Sequence, residues 1–431
     1  MLIEFTVGNY RSFKEKVTFS MVAANIVSKD ESLDQNNVAV VDDKLKLLKS
    51  AAIYGANASG KSNLAHALAF MRWFIVNSSK ETQSTDKINV ENFKLSTETE
   101  EAPSFFEIIF ILNKKRFRYG FEVTKNKVVS EWLFYVPKNR ETKLFDREND
   151  IIKFSKVYEA DGVSRLTRHN ALFLSVSAQF NVRLALELLD WITYNLKIIS
   201  GLNDSGYKEY TIYCLDEKIY DKEILELIYK LDLGINGVKL QNLLLPRFNL
   251  PDEQPEGPER PRIIADESDR RVSFIQTKHK MFNSENEYVS DVLFNLESQE
   301  SEGTQKVFAL AAPLVETLKY GNVLVIDEFD ARLHPSISCA IVKLFNSNES
   351  NPNNAQLIFM THDTNLLSNK LFRRDQIWFT EKDRYGATDL YSLVEYKGVR
   401  SDASYESDYI KGRYGAIPFI GNLSSIFETH G

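Results

Sequence analysis

The chain has 431 residues, with 53 Lys and Arg against 60 Asp and Glu and a formal net charge of −7. Its 43% apolar and 26% charged residues are typical of a folded globular protein and exclude disorder over the whole length. The two cysteines exclude a disulfide scaffold, and the six histidines lack zinc-ligand spacing. No apolar run reaches the roughly 18 residues of a membrane span, and no signal-peptide pattern opens the chain. We therefore expect a cytoplasmic protein with no membrane partner.

In the first half of the chain, hydrophobic periodicity predicts a strand-rich segment followed by a helical one. Alternation with period two over residues 104–154 predicts a meander of antiparallel strands. Apolar residues spaced by three and four over residues 169–232 predict helices. The elements predicted before these segments are strands at 1–7, 17–24 and 48–54, a loop at 25–46 and a helix at 60–77.

The second half begins with a breaker-rich segment and then alternates strand with helix. Residues 246–262 hold five prolines in seventeen positions, which predicts an exposed loop. The alternation that follows predicts βαβ units on a parallel sheet. The predicted elements are strands at 270–282, 322–327 and 355–361 and helices at 304–319 and 336–346. Two more strands are predicted after them, within 374–394.

Residues 55–62 (GANASGKS) match the phosphate-binding loop G-x-x-x-x-G-K-[ST], with a strand pattern before them and a helix pattern after them. Glycines let the backbone wrap around phosphates, and the helix N-terminus adds a positive partial charge. Lys61 is predicted to reach the terminal phosphates of the nucleotide, and the Ser62 hydroxyl to bind Mg²⁺. The predicted nucleotide-binding residues of this loop are Gly55, Ala56, Asn57, Ala58, Ser59, Gly60, Lys61, Ser62 and Asn63.

Two apolar strands end in residues suited to phosphate chemistry. The first, VLVIDE, delivers Asp327 at its carboxyl end, where it would hold Mg²⁺ through water. Glu328 would orient or deprotonate the attacking water. The second, LIFMTH, ends at His362, a candidate to contact the γ-phosphate or that water. A third motif, SEGT from residue 301, precedes a helix and in isolation is a simple N-cap.

The order of these motifs resembles that of ABC-type ATPases of the SMC-like branch, in which a serine-containing signature precedes the acidic strand and a switch histidine. DARLHP at 330–335 resembles their D-loop. The opening NYRSF and the ending YIKGRYGAIP are similar to motifs of stand-alone prokaryotic ATPases related to OLD proteins and of the RloA/AbiL abortive-infection type. The resemblance covers about residues 1–80 and 295–420.

This resemblance implies a site shared between two heads. ATP would lie between the P-loop of one copy and the signature of another, so that Ser301, Gly303 and Thr304 bind the partner's nucleotide. Each chain carries one set of motifs, and an isologous homodimer completes two sites at once. The resemblance further implies phage defence with a separate, nuclease-like effector protein.

The chain departs from related classes at several positions. The signature has Glu300, Glu302 and Thr304 where transporter ATPases have leucine, glycine and glutamine. No Q-loop glutamine stands out, and residues 92–94 are the candidate position. The sequence has neither a zinc-hook motif nor a long coiled coil, which excludes a long-armed DNA-repair SMC protein. No N-K-x-D motif for guanine is present either, which argues against a GTPase.

We therefore predict an α/β fold: an ABC-type P-loop ATPase head with a mixed sheet and flanking helices, an antiparallel β-subdomain and an inserted helical lobe. The predicted parts are residues 1–160 with the P-loop, the insertion at 161–262, and 263–431 with the signature, acidic strand, D-loop and switch histidine. Two alternatives stay open. One is an SMC-like ATPase of DNA repair or maintenance that binds nucleic acid through the basic segment 114–118. The other is an ATP-binding scaffold with little turnover.

Overall fold

The computed structural model describes residues 1–137, 140–231, 234–245, 270–400 and 403–418. The chain divides into two compact units, and each unit draws on separate stretches of sequence. The first comprises Met1–Leu202, Thr317–Ala331 and Pro335–Gly431. The second comprises Asn203–Glu316 and Arg332–His334.

The described residues form strands and α-helices, most of them where the sequence pattern predicts them. The strands are β1 (Leu2–Gly8), β2 (Val17–Ser20), β3 (Val38–Val40), β4 (Lys46–Leu48), β5 (Ser50–Gly55), β6 (Ser104–Leu112), β7 (Lys115–Val123), β8 (Val128–Val136), β9 (Thr142–Glu148), β10 (Ile151–Phe154), β11 (Leu196–Ser200), β12 (Gly237–Leu245), β13 (Arg270–Phe282), β14 (Tyr288–Asn295), β15 (Val323–Asp327), β16 (Gln356–Met360), β17 (Ile377–Lys382) and β18 (Thr388–Ser392). The α-helices are α1 (Glu31–Asn36), α2 (Lys61–Asn77), α3 (Phe173–Gln179), α4 (Arg183–Asp190), α5 (Ser205–Asp216), α6 (Asp221–Lys230), α7 (Glu302–Tyr320), α8 (Pro335–Asn346) and α9 (Tyr405–Ile410).

A seven-stranded antiparallel sheet forms one layer of the first unit, in the order β10-β9-β8-β7-β6-β1-β2. The meander predicted over 104–154 is confirmed as β6 to β10. Alternation places Phe117, Tyr119 and Phe121 of β7 in the core, while Arg116 and Arg118 point to the other face.

A six-stranded sheet forms the second layer of this unit, in the order β11-β15-β16-β5-β17-β18. The first five strands are mutually parallel, and β18 pairs antiparallel with β17. Residues 323–326 of β15 are fully buried, as expected for a strand covered on both faces. The predicted βαβ arrangement is confirmed where α8 connects β15 to β16. The carboxyl ends of β5, β15, β16 and β17 meet at one edge of the sheet.

Helix α2 connects the P-loop to the core shared by both layers. Phe74 of α2 packs edge-on against Phe121 of β7, at 5.5 Å between ring centroids. Leu64 and Leu68 belong to the same buried cluster as Ile53 of β5. Fully burying a large apolar side chain contributes about 1.5–3 kcal/mol. The helix that begins at the P-loop is therefore held rigidly.

The second unit contains α5, α6, the antiparallel sheet β12-β13-β14 and most of α7. Its core joins helical and strand residues, among them Ile224, Ile275 and Phe308. The hydroxyl of Thr211 on α5 donates to the carbonyl of Ala309 on α7 at 2.9 Å, which fixes these two helices in register. The first turn of α7 carries the signature segment.

Three local features differ from the sequence prediction. Residues 196–200 form β11 inside a stretch where helices were predicted, because this short apolar run pairs with β15 in parallel. Tertiary pairing decides the structure of so short a segment. Helix α1 and β3 lie within the predicted loop 25–46. Residues 161–202 of the predicted insertion belong to the first unit, and the Pro-rich segment 246–262 lies outside the described residues.

Across the part of the chain that the structure describes, we find no helix both long and apolar enough to traverse a lipid bilayer.

Candidate functional site

The P-loop connects β5 to α2 in a conformation set by close backbone contacts. Gly60 adopts a left-handed φ of 114° at the N-cap of α2. A Cβ atom there would lie 2.4 Å from the Thr388 hydroxyl oxygen, so only glycine fits. The Lys61 ammonium group donates to the carbonyls of Gly55 and Ala56 at 2.8 and 3.1 Å. Lys61 is therefore held across the mouth of the loop.

The acidic strand meets the P-loop helix at the carboxyl edge of the six-stranded sheet. The Ser62 hydroxyl donates to the Asp327 carboxylate at 3.1 Å, although the two residues are 265 positions apart. A hydroxyl and a carboxylate are hard oxygen ligands that suit Mg²⁺, which usually takes one or two carboxylates plus substrate phosphates in nucleotide sites. The predicted pair of metal ligands, Ser62 and Asp327, thus fits that ion chemically.

His362 lies two residues after the end of β16 and is anchored by a carboxylate of the D-loop segment. One Asp330 oxygen accepts both the Thr361 hydroxyl, at 2.6 Å, and the backbone N–H of His362, at 3.2 Å. Sequence reasoning placed Asp330 in a D-loop without giving it a role. The first aspartate of D-x-x-L-H-P is the sequence signal for this residue. Only the fold shows that it accepts the backbone N–H of His362.

A cavity of about 520 Å³ lies at this edge of the sheet, and the P-loop forms one wall of it. Glu328 and His362 also line it, together with two residues that the sequence did not single out, Met360 and Lys382. Lys382 ends β17, the parallel neighbour of β5, and this placement emerges only from sheet order. Among the residues that the structure describes, the cavity is lined by Asn57, Ala58, Ser59, Gly60, Lys61, Ser62, Asn63, Glu328, Met360, His362 and Lys382.

Burial shapes the protonation of two of these residues. Burial lowers the pKa of Lys61 to about 8, against the opposing effect of Asp327, Asp330 and Glu328. Burial, together with the Lys61 charge, lowers the pKa of His362 from its usual value. His362 is therefore neutral at pH 7 and offers one N–H donor and one acceptor nitrogen.

Glu328 is held in place by β11, the strand that the sequence pattern did not reveal. Ser200 pairs with Asp327 in parallel register, and the Gly201 N–H donates to the Asp327 carbonyl at 2.6 Å. A Cβ atom on Gly201 would lie only 1.8 Å from the Glu328 carbonyl oxygen. Glu328 itself has a left-handed φ of 52°, which is rare for a non-glycine residue. Such strain persists where the surroundings enforce it.

The predicted signature residues belong to the second unit, whereas all residues that line the cavity belong to the first. The Ser301 hydroxyl accepts the Thr304 N–H at 3.1 Å and so caps α7. A Cβ atom on Gly303 would lie 3.0 Å from the carbonyl oxygen of Arg332. Ser301 is exposed and Thr304 is buried.

The structure also shows the contacts of Glu300 and of the candidate Q-loop position. Glu300, which stands where transporter ATPases have leucine, accepts a hydrogen bond from the Thr277 hydroxyl and pairs with His279 at 2.6 Å. At the candidate Q-loop position, the Asn92 amide donates to the carbonyls of Thr99 and Glu100 and does not line the cavity.

These features are those of a P-loop nucleotide-binding fold: a parallel sheet whose carboxyl edge carries a phosphate-binding loop, an acidic strand and a histidine strand. A family model described as "AAA domain, putative AbiEii toxin, Type IV TA system" matches residues 50–368. The chain belongs to this family. No curated protein matches it.

Several solved structures are similar to this chain at low sequence identity. An SMC head bound to the C-winged helix domain of ScpA is 15% identical, over 91% of this chain and 97% of that chain, with a TM-score of 0.41. The SMC head domain from Thermotoga maritima is 12% identical, over 91% and 98%, with a TM-score of 0.40. The recombination mediator protein RecF is 15% identical, over 90% and 98%, with a TM-score of 0.35.

Proposed function

We propose that this chain hydrolyses ATP and uses the nucleotide to switch between a closed homodimer and an opened state. The observation that carries the proposal is the meeting of Ser62 and Asp327, 3.1 Å apart, beside a cavity lined by Lys61, Glu328 and His362. Each of these groups has a distinct part in phosphoryl transfer to water.

The P-loop residues bind and orient the phosphates. Backbone N–H groups of residues 55–62 face the phosphate oxygens, and Lys61 exchanges its two carbonyl partners for the terminal phosphates. Ser62 and Asp327 would hold Mg²⁺, which neutralises charge on the phosphates when bound.

Glu328 and His362, which also line the cavity, act on the attacking water and the γ-phosphate. Glu328 orients the attacking water and accepts its proton, as a carboxylate within reach of the cavity can do. Neutral His362 donates an N–H toward the γ-phosphate, and Asp330 fixes its backbone. Positioning and preorganised charge supply most of the catalysis in such reactions.

The dimer part of the proposal rests on the position of the signature. Ser301 is exposed at the N-terminal end of α7, a 19-residue helix whose first N–H groups suit a phosphate. Ser301, Gly303 and Thr304 would then complete the site of a second copy, and a two-fold pairing completes both sites.

We further propose a role in anti-phage defence of the abortive-infection type, with a nuclease-like effector as a separate protein. The family description, which names an Abi-type toxin, supports this assignment together with the opening and ending motifs of the chain. Copurification of such an effector from the native host would support this part. Recovery of the ATPase alone, with no loss of phage resistance on its deletion, would contradict it.

The central test is Glu328→Gln, which keeps the side-chain shape and removes the base. We expect turnover of Mg·ATP to fall by about 10²–10⁴-fold, the usual contribution of a general base. ATP should then convert this variant to a stable dimer, detected by light scattering coupled to size exclusion. Lys61→Ala is the matched control, because it should lose both nucleotide binding and dimerisation. Unchanged turnover in Glu328→Gln would remove Glu328 from the mechanism.

The alternative of a nucleic-acid-binding ATPase depends on the basic segment 114–118, and one of its cations is already paired. Arg118 forms hydrogen bonds with Glu107 and Glu141 at 2.9 and 2.7 Å, so its charge is offset within the sheet. The exposed cations that remain on this segment are Lys114, Lys115 and Arg116. Duplex binding that weakens steeply with salt would revive this alternative.

A further inference from the structure

Three neighbouring strands of the six-stranded sheet carry the walls of the ATP cavity. β16 leads to His362, β5 leads to the P-loop, and β17 ends at Lys382. Residues 404–416, here named the C-terminal strap, begin with the capping residue of α9 and continue through the YIKGRYGA segment. The strap contacts all three strands or their extensions, although no residue of it lines the cavity.

The first two contacts come from one aromatic ring. Tyr409 of α9 lies against Tyr54, the residue just before Gly55, with 5.9 Å between ring centroids. The same ring stacks on Phe379 of β17 at 5.5 Å and an interplanar angle of 19°. Tyr54 and Phe379 are buried, and Tyr409 is 8% exposed. Tyr409 therefore bridges β5 and β17 behind the P-loop.

The third contact reaches the segment that follows His362. The Tyr54 hydroxyl donates to the carbonyl of Asp363 at 3.3 Å. Glu406 of α9 accepts the Thr364 hydroxyl at 3.2 Å. The two residues after His362 are thus held from two sides.

The strap is itself fixed by hydrogen bonds from tyrosines. The hydroxyls of Tyr391 and Tyr396 both donate to the carbonyl of Tyr414, at 2.9 and 2.7 Å. The Tyr409 hydroxyl donates to the carbonyl of Ala416 at 3.1 Å. Burial and the nearby Asp363 raise the pKa of Tyr54 well above its usual value, so Tyr54 remains a donor at any physiological pH.

We propose that the C-terminal strap positions His362 for its action at the γ-phosphate, through Tyr54 and Glu406. Asp330 holds the His362 backbone on one side, and the strap fixes Asp363 and Thr364 on the other. This inference rests on the proposed function, because it assigns the strap to the hydrolytic step and not to nucleotide binding. Tyr54, Glu406 and Tyr409 are positioning residues that do not touch the nucleotide.

The main test is Tyr54→Phe, which keeps the buried ring and removes only the hydroxyl bonded to Asp363. We expect kcat for ATP to fall about three- to tenfold, the range for one lost hydrogen bond that acts in the transition state. Affinity for a fluorescent ATP analogue should stay at the wild-type value. Tyr409→Ala should act in the same direction, because it removes the ring that packs on Tyr54 and Phe379. Ile410→Ala is the matched control, because Ile410 lies on the same helix and is 60% exposed.

A double variant separates positioning from general loosening of the fold. Tyr54→Phe should lower kcat no further in a His362→Ala background, because residues that act through one another are not additive. Additive losses, or a parallel loss of nucleotide affinity, would overturn the proposal. So would wild-type kcat in both Tyr54→Phe and Tyr409→Ala.

A second readout does not depend on turnover. Hydrogen exchange of the amides at 361–366 should accelerate in Tyr54→Phe and remain unchanged in Ile410→Ala. If the wild-type chain binds ATP without hydrolysing it, the proposed function fails. The hydrogen exchange of the amides at 361–366 still decides whether the strap holds the segment after His362. Unchanged exchange in Tyr54→Phe would overturn the inference by itself.

Discussion

Replacing Gly201 by alanine tests whether β11 fixes the catalytic carboxylate. The new methyl carbon would lie 1.8 Å from the Glu328 carbonyl oxygen, whereas ordinary contact begins at 3.4 Å. The two groups must therefore separate by about 1.6 Å, from 1.8 to 3.4 Å, and the atoms on the Glu328 side are backbone. Gly201 does not have a left-handed φ, so the effect comes from contacts with the backbone of Glu328 and of Asp327, whose carbonyl oxygen would lie 2.8 Å away.

We expect two consequences of Gly201→Ala. Forcing an extra methyl group into a packed site costs about 1–3 kcal/mol, which should lower the melting temperature by several degrees. A displacement of about 1 Å in a reacting group costs on the order of 10²-fold in rate, so kcat should fall by about that factor. Affinity for ATP should be preserved, because the nearest atoms to the added carbon belong to Glu328 and Asp327, whereas Lys61 is held by the carbonyls of Gly55 and Ala56.

The assay is steady-state Mg·ATP turnover at saturating nucleotide, with thermal unfolding of the same preparation. Gly206→Ala is the matched control, because an added Cβ on this glycine of α5 meets no atom within 4 Å. Alanine is also favoured over glycine inside a helix by about 1 kcal/mol. A Gly201→Ala protein that folds and turns over ATP within about twofold of wild type would refute the role assigned to β11.

Two further predictions concern charge. Because burial lowers the pKa of Lys61 to about 8, the nucleotide-free protein loses this positive charge above that pH, and ATP should bind more weakly by up to about tenfold per pH unit. Titration calorimetry between pH 7 and 9.5 checks this, and an affinity for ATP that stays constant over this range would contradict it. Arg147→Met should reduce the free energy of unfolding by about 3–5 kcal/mol, because Arg147 is 1% exposed, neighbours buried Glu131 and donates to the Ala171 carbonyl at 2.6 Å. Urea unfolding measures this free energy. A decrease of less than about 1 kcal/mol would show that water or a shifted backbone replaces the hydrogen bonds of Arg147.

The sequence was sufficient for the parts of the fold whose signal is local. The P-loop follows from spacing, because glycines and a lysine at fixed intervals have few other uses between a strand and a helix. β15 follows from four apolar residues that end in Asp327. β7 follows from its alternation, since one face of the sheet is buried.

The parts of the fold and of the site that the sequence did not predict depend on pairing between segments that are distant in the chain. β11 has five residues and no turn signal before it, and only its parallel neighbour β15 makes it a strand. Lys382 gains its place beside the nucleotide site from the strand order β16-β5-β17, which no local pattern encodes. Asp330 was visible in its motif, but its acceptor role toward His362 requires the end of β16 to lie beside it.

Strand order also explains how residues so far apart in sequence make one site. Ser62 and Asp327 are 265 positions apart, and the bond between them depends on β16 pairing with β5 on one side and β15 on the other. Parallel pairing of this kind is non-local, so the site forms only after the two chain halves have met. The P-loop alone cannot assemble a metal site. Nucleotide with Mg²⁺ should therefore stabilise the pairing of both halves, whereas nucleotide without the metal should act mainly on β5 and α2.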